Sequence, residues 1–262
     1  MSLKILQSVD SGGKHEEMLN LTSEVNLLYA QKYGHDYEKF IGTKGRAAVD
    51  ASYNVLYLLN DELTSGNHDW ILWLDADAFV WDHSIDVNTA VVDSQYALIG
   101  TAGSPINDGQ DGHKTQTEIQ WDINSGVFFV NMKHDKTKEV LELSKELYLA
   151  NINFEDITDF NTIGTVEHLT DLLKDQGYIN EAIYRVFNEE PTQNPFVKVF
   201  NDSTNQYRYI NYMGSLIRHV LDDTDENHII NNRQNQRDEL TGLTWDQRLE
   251  LVQKWTAEVK GE

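Results

Sequence analysis

The feature that most constrains this chain is Trp70-Ile71-Leu72-Trp73-Leu74, five apolar residues in a row that run straight into Asp75-Ala76-Asp77. A strand with one wet face alternates apolar and polar residues, so an unbroken apolar run belongs to a strand covered on both faces. Upstream, Leu3 to Val9 reads as a short apolar strand ending at Asp10-Ser11-Gly12-Gly13. Met18, Leu21, Val25 and Leu28 then recur with the period of a helix, which Gly34 closes. Tyr37 to Ile41 reads as a second strand, and Ala48, Ala51, Val55 and Leu59 mark the inner stripe of a second helix ending before Ser65-Gly66-Asn67. Strand, helix, strand, helix, strand predicts a parallel α/β sheet whose third strand delivers two carboxylates at its carboxyl end.

The remaining sequence extends this pattern. Ala97 to Gly100 and Val127 to Val130 read as strands, separated by a polar stretch from Thr101 to Gln120 that is expected to be a mobile loop able to close over a ligand. One helix carries Val140, Leu143 and Leu147 inward, and another, opening near Asp175, carries Ile179, Ala182, Ile183 and Val186. Phe196 to Phe200 and Tyr207 to Tyr212 are expected to be antiparallel strands, followed by a strand from Ser215 to Val220. Asp222 to Gly242 reads as loop, and Thr244 caps a last helix with Leu249, Val252 and Trp255 on one side. At 262 residues the expectation is one domain spanning the whole chain, with its core in about residues 3–221 and a polar loop plus helix beyond.

Composition narrows the functional classes. Acidic residues number 43 against 21 basic, a formal net charge of −22. Such a surface repels phosphate backbones and anionic lipid, which argues against nucleic-acid and membrane-surface partners. With no cysteine there is no disulfide, thiolate metal site or cysteine nucleophile. No apolar run has the length of a membrane span, and Met1 to Leu6 reads as the start of a strand rather than a signal peptide, so the expected location is cytoplasmic.

In open α/β sheets ligands bind where strands end, so Asp75 and Asp77 are well placed for chemistry. Two carboxylates one residue apart on an extended chain point the same way and can grip one hard cation. The bland alternative is an exposed Asp-rich turn. Two metal chemistries use Asp-x-Asp after an apolar strand: glycosyl transfer from a nucleotide sugar, and phosphoryl transfer of the haloacid-dehalogenase type. Asp222-Asp223 resembles the later acidic motif of the second, although Phe79 stands where that family has Thr or Val.

Residues 70–78 look very like the Asp-x-Asp strand of the galactosyl/mannosyltransferase family typified by yeast Golgi enzymes, which has the GT-A fold, and more distantly that of the glycogenin-like family. Leu28 to Tyr37 is similar to that family's first helix and second strand. Asn124-Ser125-Gly126-Val127-Phe128-Phe129-Val130 resembles its Asn-Ser/Thr-Gly strand, Asp175-Gln176 its Asp/Glu-Gln motif, and His219 its late metal-ligand histidine. The ordered set covers roughly residues 3–221.

The resemblance implies a GT-A sheet and a metal-dependent, retaining transfer of a sugar from a UDP- or GDP-linked donor to a saccharide, lipid-linked or protein hydroxyl. Asp75, Asp77 and His219 would hold Mn²⁺ or Mg²⁺, and the oxygen-plus-nitrogen set suits Mn²⁺ better. Val9, Asp10 and Ser11 would meet the base and ribose, Arg46 the donor oxygens, and Asp75, Ala76, Asp77, Asn124 and Ser125 the diphosphate and sugar. Asp175 and Gln176 would lie at the anomeric carbon, as the catalytic pair. The alternatives are that Asp175 caps a helix and His219 is a core histidine. His83 is a second candidate ligand, and Lys14 and Lys44 are candidate phosphate contacts. Trp121 is a candidate platform for a sugar, whereas Trp70, Trp73 and Trp81 read as packing. The glycogenin-like His-x-x-Gly-x-x-Lys-Pro-Trp signature is missing after His219, and so is the membrane anchor of the yeast Golgi members. That implies either a cytosolic form or a trimmed catalytic domain.

Overall fold

The structure is a computed structural model that describes residues 1–45, 48–102, 123–151, 175–187, 196–200, 210, 214–220 and 243–262. The first half runs β1 (Leu3–Val9), α1 (Lys14–Tyr33), β2 (Asp36–Ile41), α2 (Asn54–Ser65), β3 (Trp70–Leu74), β4 (Ala78–Val80) and a single turn α3 (Val87–Ala90). It continues with β5 (Leu98–Ala102), β6 (Ile123–Asn131), α4 (Asp135–Asn151), α5 (Asp175–Phe187), β7 (Val197–Phe200), β8 (Ile217–His219) and α6 (Trp245–Lys260). Gly34 and Gly66 end α1 and α2 in the left-handed region, at φ 71° and 64°, where a Cβ would be strained.

Six strands form one sheet in the order β2-β1-β3-β6-β5-β7. The β1–β2, β1–β3 and β5–β7 pairs are parallel, while β6 runs against both β3 and β5. Five strands therefore share a direction and β6 alone is reversed. Strand β3 lies between β1 and β6 with all five residues buried, as its unbroken apolar run predicts. Its alternation divides the core. Ile71 and Trp73 join Leu56, Leu59, Val140, Tyr178 and Ile183 of α2, α4 and α5. Trp70, Leu72 and Leu74 face the other way, toward Tyr29 and Ala30 of α1, Val80 and Ile217.

A second, two-stranded sheet pairs β4 with β8, placing Ala78 opposite His219 and Phe79 opposite Arg218. Helix α6 closes over it, where Val252 and Trp255 meet Phe79, Val220 and Met18. The Arg218 guanidinium lies 3.4 Å over the Trp81 ring and 4.7 Å over that of Trp255, a cation–π stack that joins β8 to α6.

Among the described residues β7 pairs parallel to β5, and the expected antiparallel partner, Tyr207 to Tyr212, lies outside them except for Ile210. Three expectations need correction. The second helix opens as a 3₁₀ turn over Ala48–Tyr53 before α2 begins. Leu28 is not on the buried stripe of α1 but 45% exposed, because the inner face is Met18, Leu19, Thr22, Val25, Asn26 and Tyr29. Strand β4, three residues long, was not expected at all. The polar loop from Thr101 to Gln120, except Thr101 and Ala102, lies outside the described residues, as do Asp222 and Asp223.

Candidate active site at the carboxyl end of the third strand

Past Leu74 the chain keeps one more ladder bond, from Asp75 N to Gly126 O at 2.8 Å, and then turns: Ala78 N donates to Asp75 O at 3.0 Å. Strand β4 leaves this turn and pairs with β8, and Val220 N donates to Asp77 O at 3.0 Å. The pairing brings His219, 1% exposed, against both carboxylates: Nε2 is 3.2 Å from Asp77 Oδ1 and 3.7 Å from Asp75 Oδ2. One ligand atom from each of the three side chains lies within 4.8 Å of the others, close enough to share one cation.

Gly126 makes the room. A Cβ at this position would overlap His219 Cε1 and come within 2.8 Å of Asp75 Oδ2 and His219 Nε2. The "Asn-Ser-Gly" of the sequence thus has a steric reason, since no side chain fits between β6 and the His219 and Asp75 side chains. Trp73 belongs to the site as well. Its indole Nε1 donates to Asp75 Oδ1 at 3.2 Å, so a residue that packs in the core, as expected, also touches the site.

The electrostatics are those of a site short of positive charge. Depth in the fold, with Asp77 and Asp175 nearby, pushes Asp75 up to about 7, against the downward pull of His219 and of the Trp73 indole. Its side chain still opens to the cleft, 42% exposed. Burial disfavours a charged His219, but Asp77 and Asp75 outweigh it and raise its pKa. A divalent cation would relieve the crowding.

The triad opens into a cleft of about 500 Å³. Val9 and Asp10 line it from the end of β1, Lys14 and His15 from the start of α1, and Asp175 from the start of α5, together with Ala76 of the turn. Ser11 is exposed just beyond, and Arg46 and Trp121 lie outside the described residues. Asn124 and Ser125 are buried on β6 and are not among the cleft's lining residues: Asn124 Oδ1 accepts from Gly126 N at 3.0 Å, and Ser125 N donates to Gln176 Oε1 at 3.3 Å. Gln176 therefore ties α5 to β6, while its neighbour Asp175 faces the cleft. His83 is no part of the triad and packs on Tyr29, ring centroids 5.2 Å apart. Lys44 pairs with Asp61 at 2.8 Å, and Lys14 holds its ammonium 4.6 Å from the Trp245 ring centre at the cleft rim.

No protein-family profile matches the sequence, and no curated protein is similar to it in sequence. Solved structures do match. A glycosyltransferase involved in the glycosylation of the major capsid of PBCV-1 superposes with a TM-score of 0.56 over 97% of this chain and 100% of that one, at 14% identity. The galactosyltransferase LgtC, solved with donor and acceptor sugar analogs, aligns over 97% of this chain and 95% of its own with a TM-score of 0.47 and 12% identity. The first match agrees with the sheet order and the reversed β6 in making this a GT-A fold.

Proposed function

We propose that this protein is a glycosyltransferase that uses a divalent cation, held by Asp75, Asp77 and His219, to move a sugar from a UDP- or GDP-linked donor to a hydroxyl acceptor. The observation that carries the reading is the convergence of those three side chains in a GT-A sheet, at the end of its most buried strand. The fit of a metal is supported by the donor chemistry and by the space left at Gly126, which a Cβ would fill. A mixed oxygen and nitrogen set favours Mn²⁺ over Mg²⁺. Bound there, the cation would neutralise the leaving nucleoside diphosphate and lower the barrier to breaking the sugar–phosphate bond.

The chain's own groups divide the remaining work. Asp75 and Asp77 supply carboxylate oxygens, and His219 offers Nε2 with its proton on Nδ1. Val9 and Asp10 lie where base and ribose enter the cleft. Asp175 turns its negative charge toward the donor sugar, where it stabilises an oxocarbenium-like state in a retaining transfer, while Gln176 fixes α5 through Ser125. Membership of the yeast Golgi-like galactosyl/mannosyltransferase family, with a saccharide, lipid-linked or protein acceptor, is the finer form of this reading. The phosphatase alternative gains nothing from the site, since its later acidic pair lies outside the described residues.

The test is thermal stability against UDP, GDP, CDP and ADP, each with and without Mn²⁺. A ligand at about a hundred times its Kd adds roughly 2.7 kcal/mol of stability. Stabilisation by one diphosphate only when metal is present is the expected result and names the base. No shift with any nucleotide and metal overturns the reading.

A further inference from the structure

The inner face of α1 carries two polar residues where an amphipathic helix would carry apolar ones: Thr22 and Asn26, each fully buried. Opposite them on β1, Gln7 is also fully buried. These three side chains meet at one place, the inner side of the Asp75-Ala76-Asp77 turn.

Their orientations follow from a single fixed donor. Val80 N donates to Asn26 Oδ1 at 2.9 Å, and a backbone N–H can only donate, so the Asn26 amide nitrogen must face the other way. It donates to Gln7 Oε1 at 2.9 Å and to Ala78 O at 3.2 Å. Gln7 Oε1, now an acceptor, also takes the Tyr37 hydroxyl at 2.9 Å. That leaves Gln7 Nε2 to donate to Asp75 O at 3.0 Å and Ala78 O at 3.1 Å. The two shortest bonds that Gln7 donates thus end on the turn, and a third, longer contact at 3.4 Å reaches Thr22 Oγ1.

Thr22 Oγ1 adds a bond to Ala76 O at 2.7 Å, and Val220 N holds Asp77 O at 3.0 Å. The carbonyls of residues 75 to 78 are thus all engaged from β1, α1 and the end of β8. With the backbone oxygens drawn inward, the Asp75 and Asp77 carboxylates are left to face His219.

We infer that Gln7 is the positioning residue of the cation site: its amide, oriented by Asn26 and Tyr37, fixes the turn so that Asp75 and Asp77 converge before any ligand arrives. This rests on the reading of Asp75, Asp77 and His219 as metal ligands. Any buried amide needs partners, but this one finds them on two carbonyls of the turn that carries Asp75 and Asp77, and a preorganised pair of like charges needs its backbone held against repulsion.

The experiment is a Mn²⁺ titration of the full chain followed by the six-line electron paramagnetic resonance signal of free Mn²⁺. It compares the unaltered protein with Gln7→Met, which keeps the length and removes the amide, and Thr22→Val, which removes the bond to Ala76 O along with the hydroxyl's longer contacts with Gln7 Nε2 and the Met18 and Leu19 carbonyls. Asn60→Leu is the control: Asn60 bridges α2 to α4 through Leu56 O at 2.7 Å and Leu141 O at 3.0 Å, away from the turn. Gln7→Met is expected to weaken Mn²⁺ about 10-fold or more, the usual cost of losing an outer-shell partner, and to change the line shape of the bound ion. Asn60→Leu is expected to melt earlier with Mn²⁺ affinity unchanged. A folded Gln7→Met with unaltered affinity and line shape overturns the inference while leaving the metal site standing. If the unaltered protein binds no Mn²⁺, the metal reading falls and the role of Gln7 falls with it. Should Gln7→Met fail to fold, Thr22→Val is read by the same two criteria, with a smaller loss expected.

Discussion

Gly126 on β6 and His219 on β8 touch so closely that a single added carbon on the glycine would overlap the imidazole. Neither residue can move alone, because β6 is held between β3 and β5 and β8 is held by β4. Gly126→Ala should therefore displace His219 and Asp75 rather than the strands. The expected outcome is a folded protein, by circular dichroism, whose Mn²⁺ affinity falls at least about 10-fold, a loss of ~1.4 kcal/mol or more. An alanine variant that binds Mn²⁺ normally would contradict this packing.

Asp77→Ala removes a proposed ligand and also one of three clustered acids. Metal-dependent stabilisation by a nucleoside diphosphate should vanish. The melting temperature of the metal-free variant should be nearly unchanged, since the like charge beside Asp75 and the partner of His219 go together. His219→Ala should weaken Mn²⁺ and also leave a cavity, so its melting temperature should fall. Differential scanning fluorimetry with and without Mn²⁺ separates the two variants.

The raised pKa values fix the sign of a pH effect. Asp75 titrates at about 7 in the fold against 3.8 when free, so between those values the folded state binds more protons and stability falls as pH rises. His219 is also raised, so its contribution, full below the free value of 6.5, is lost as pH climbs through its folded value. These two groups should make the metal-free protein lose stability as pH rises from about 4 through about 7, and saturating Mn²⁺, which requires both groups deprotonated, should flatten or reverse the slope. Urea melts of the chelated and Mn²⁺-loaded protein across that range are the check. Asp75→Asn should flatten the metal-free slope, and an unaltered slope would remove Asp75 as its source.

At the far end of the sheet, Lys4 is buried with its ammonium 2.6 Å from Glu38 and 2.5 Å from Glu62, and His68 bridges Glu62 to Asp36 at 3.0 and 2.8 Å. Lys4→Met would strand Glu62 without its cation. The cost should be about 2–3 kcal/mol, less than for a fully buried pair because Glu38 is half exposed. Chemical denaturation measures it, and Mn²⁺ affinity should not change.

Much of the site was legible because its residues break local patterns. Asp75 and Asp77 end an apolar run, and Ile217 and Val220 bracket His219 and its neighbour Arg218, so each stands out. The reversal of β6 was not legible, since Val127 to Val130 is equally apolar whichever way it points. Strand β4 is too short for its alternation to register, and β7 carries no mark of its partner. Gln7, Thr22 and Asn26 were missed for the opposite reason: polarity on a helix or strand ordinarily marks the wet face, and only the tertiary structure turns it inward. Trp73 was taken for packing because nothing in an apolar strand distinguishes an indole whose N–H meets a carboxylate.

The pairing of β4 with β8 also sets an order of events during synthesis. Asp75 and Asp77 emerge from the ribosome with β3, but the strand bearing His219 pairs with Ala78 only after a long intervening stretch of chain has been made. Helix α6, which clasps Arg218 through Trp255, comes later still. Chains are released N-terminus first, so the nascent protein carries its acidic pair without its histidine while the 141 residues between Asp77 and His219 are made. On the proposed reading, competence to capture a cation therefore arises only once β8 has paired with β4, and a chain that stalls before β8 would lack it.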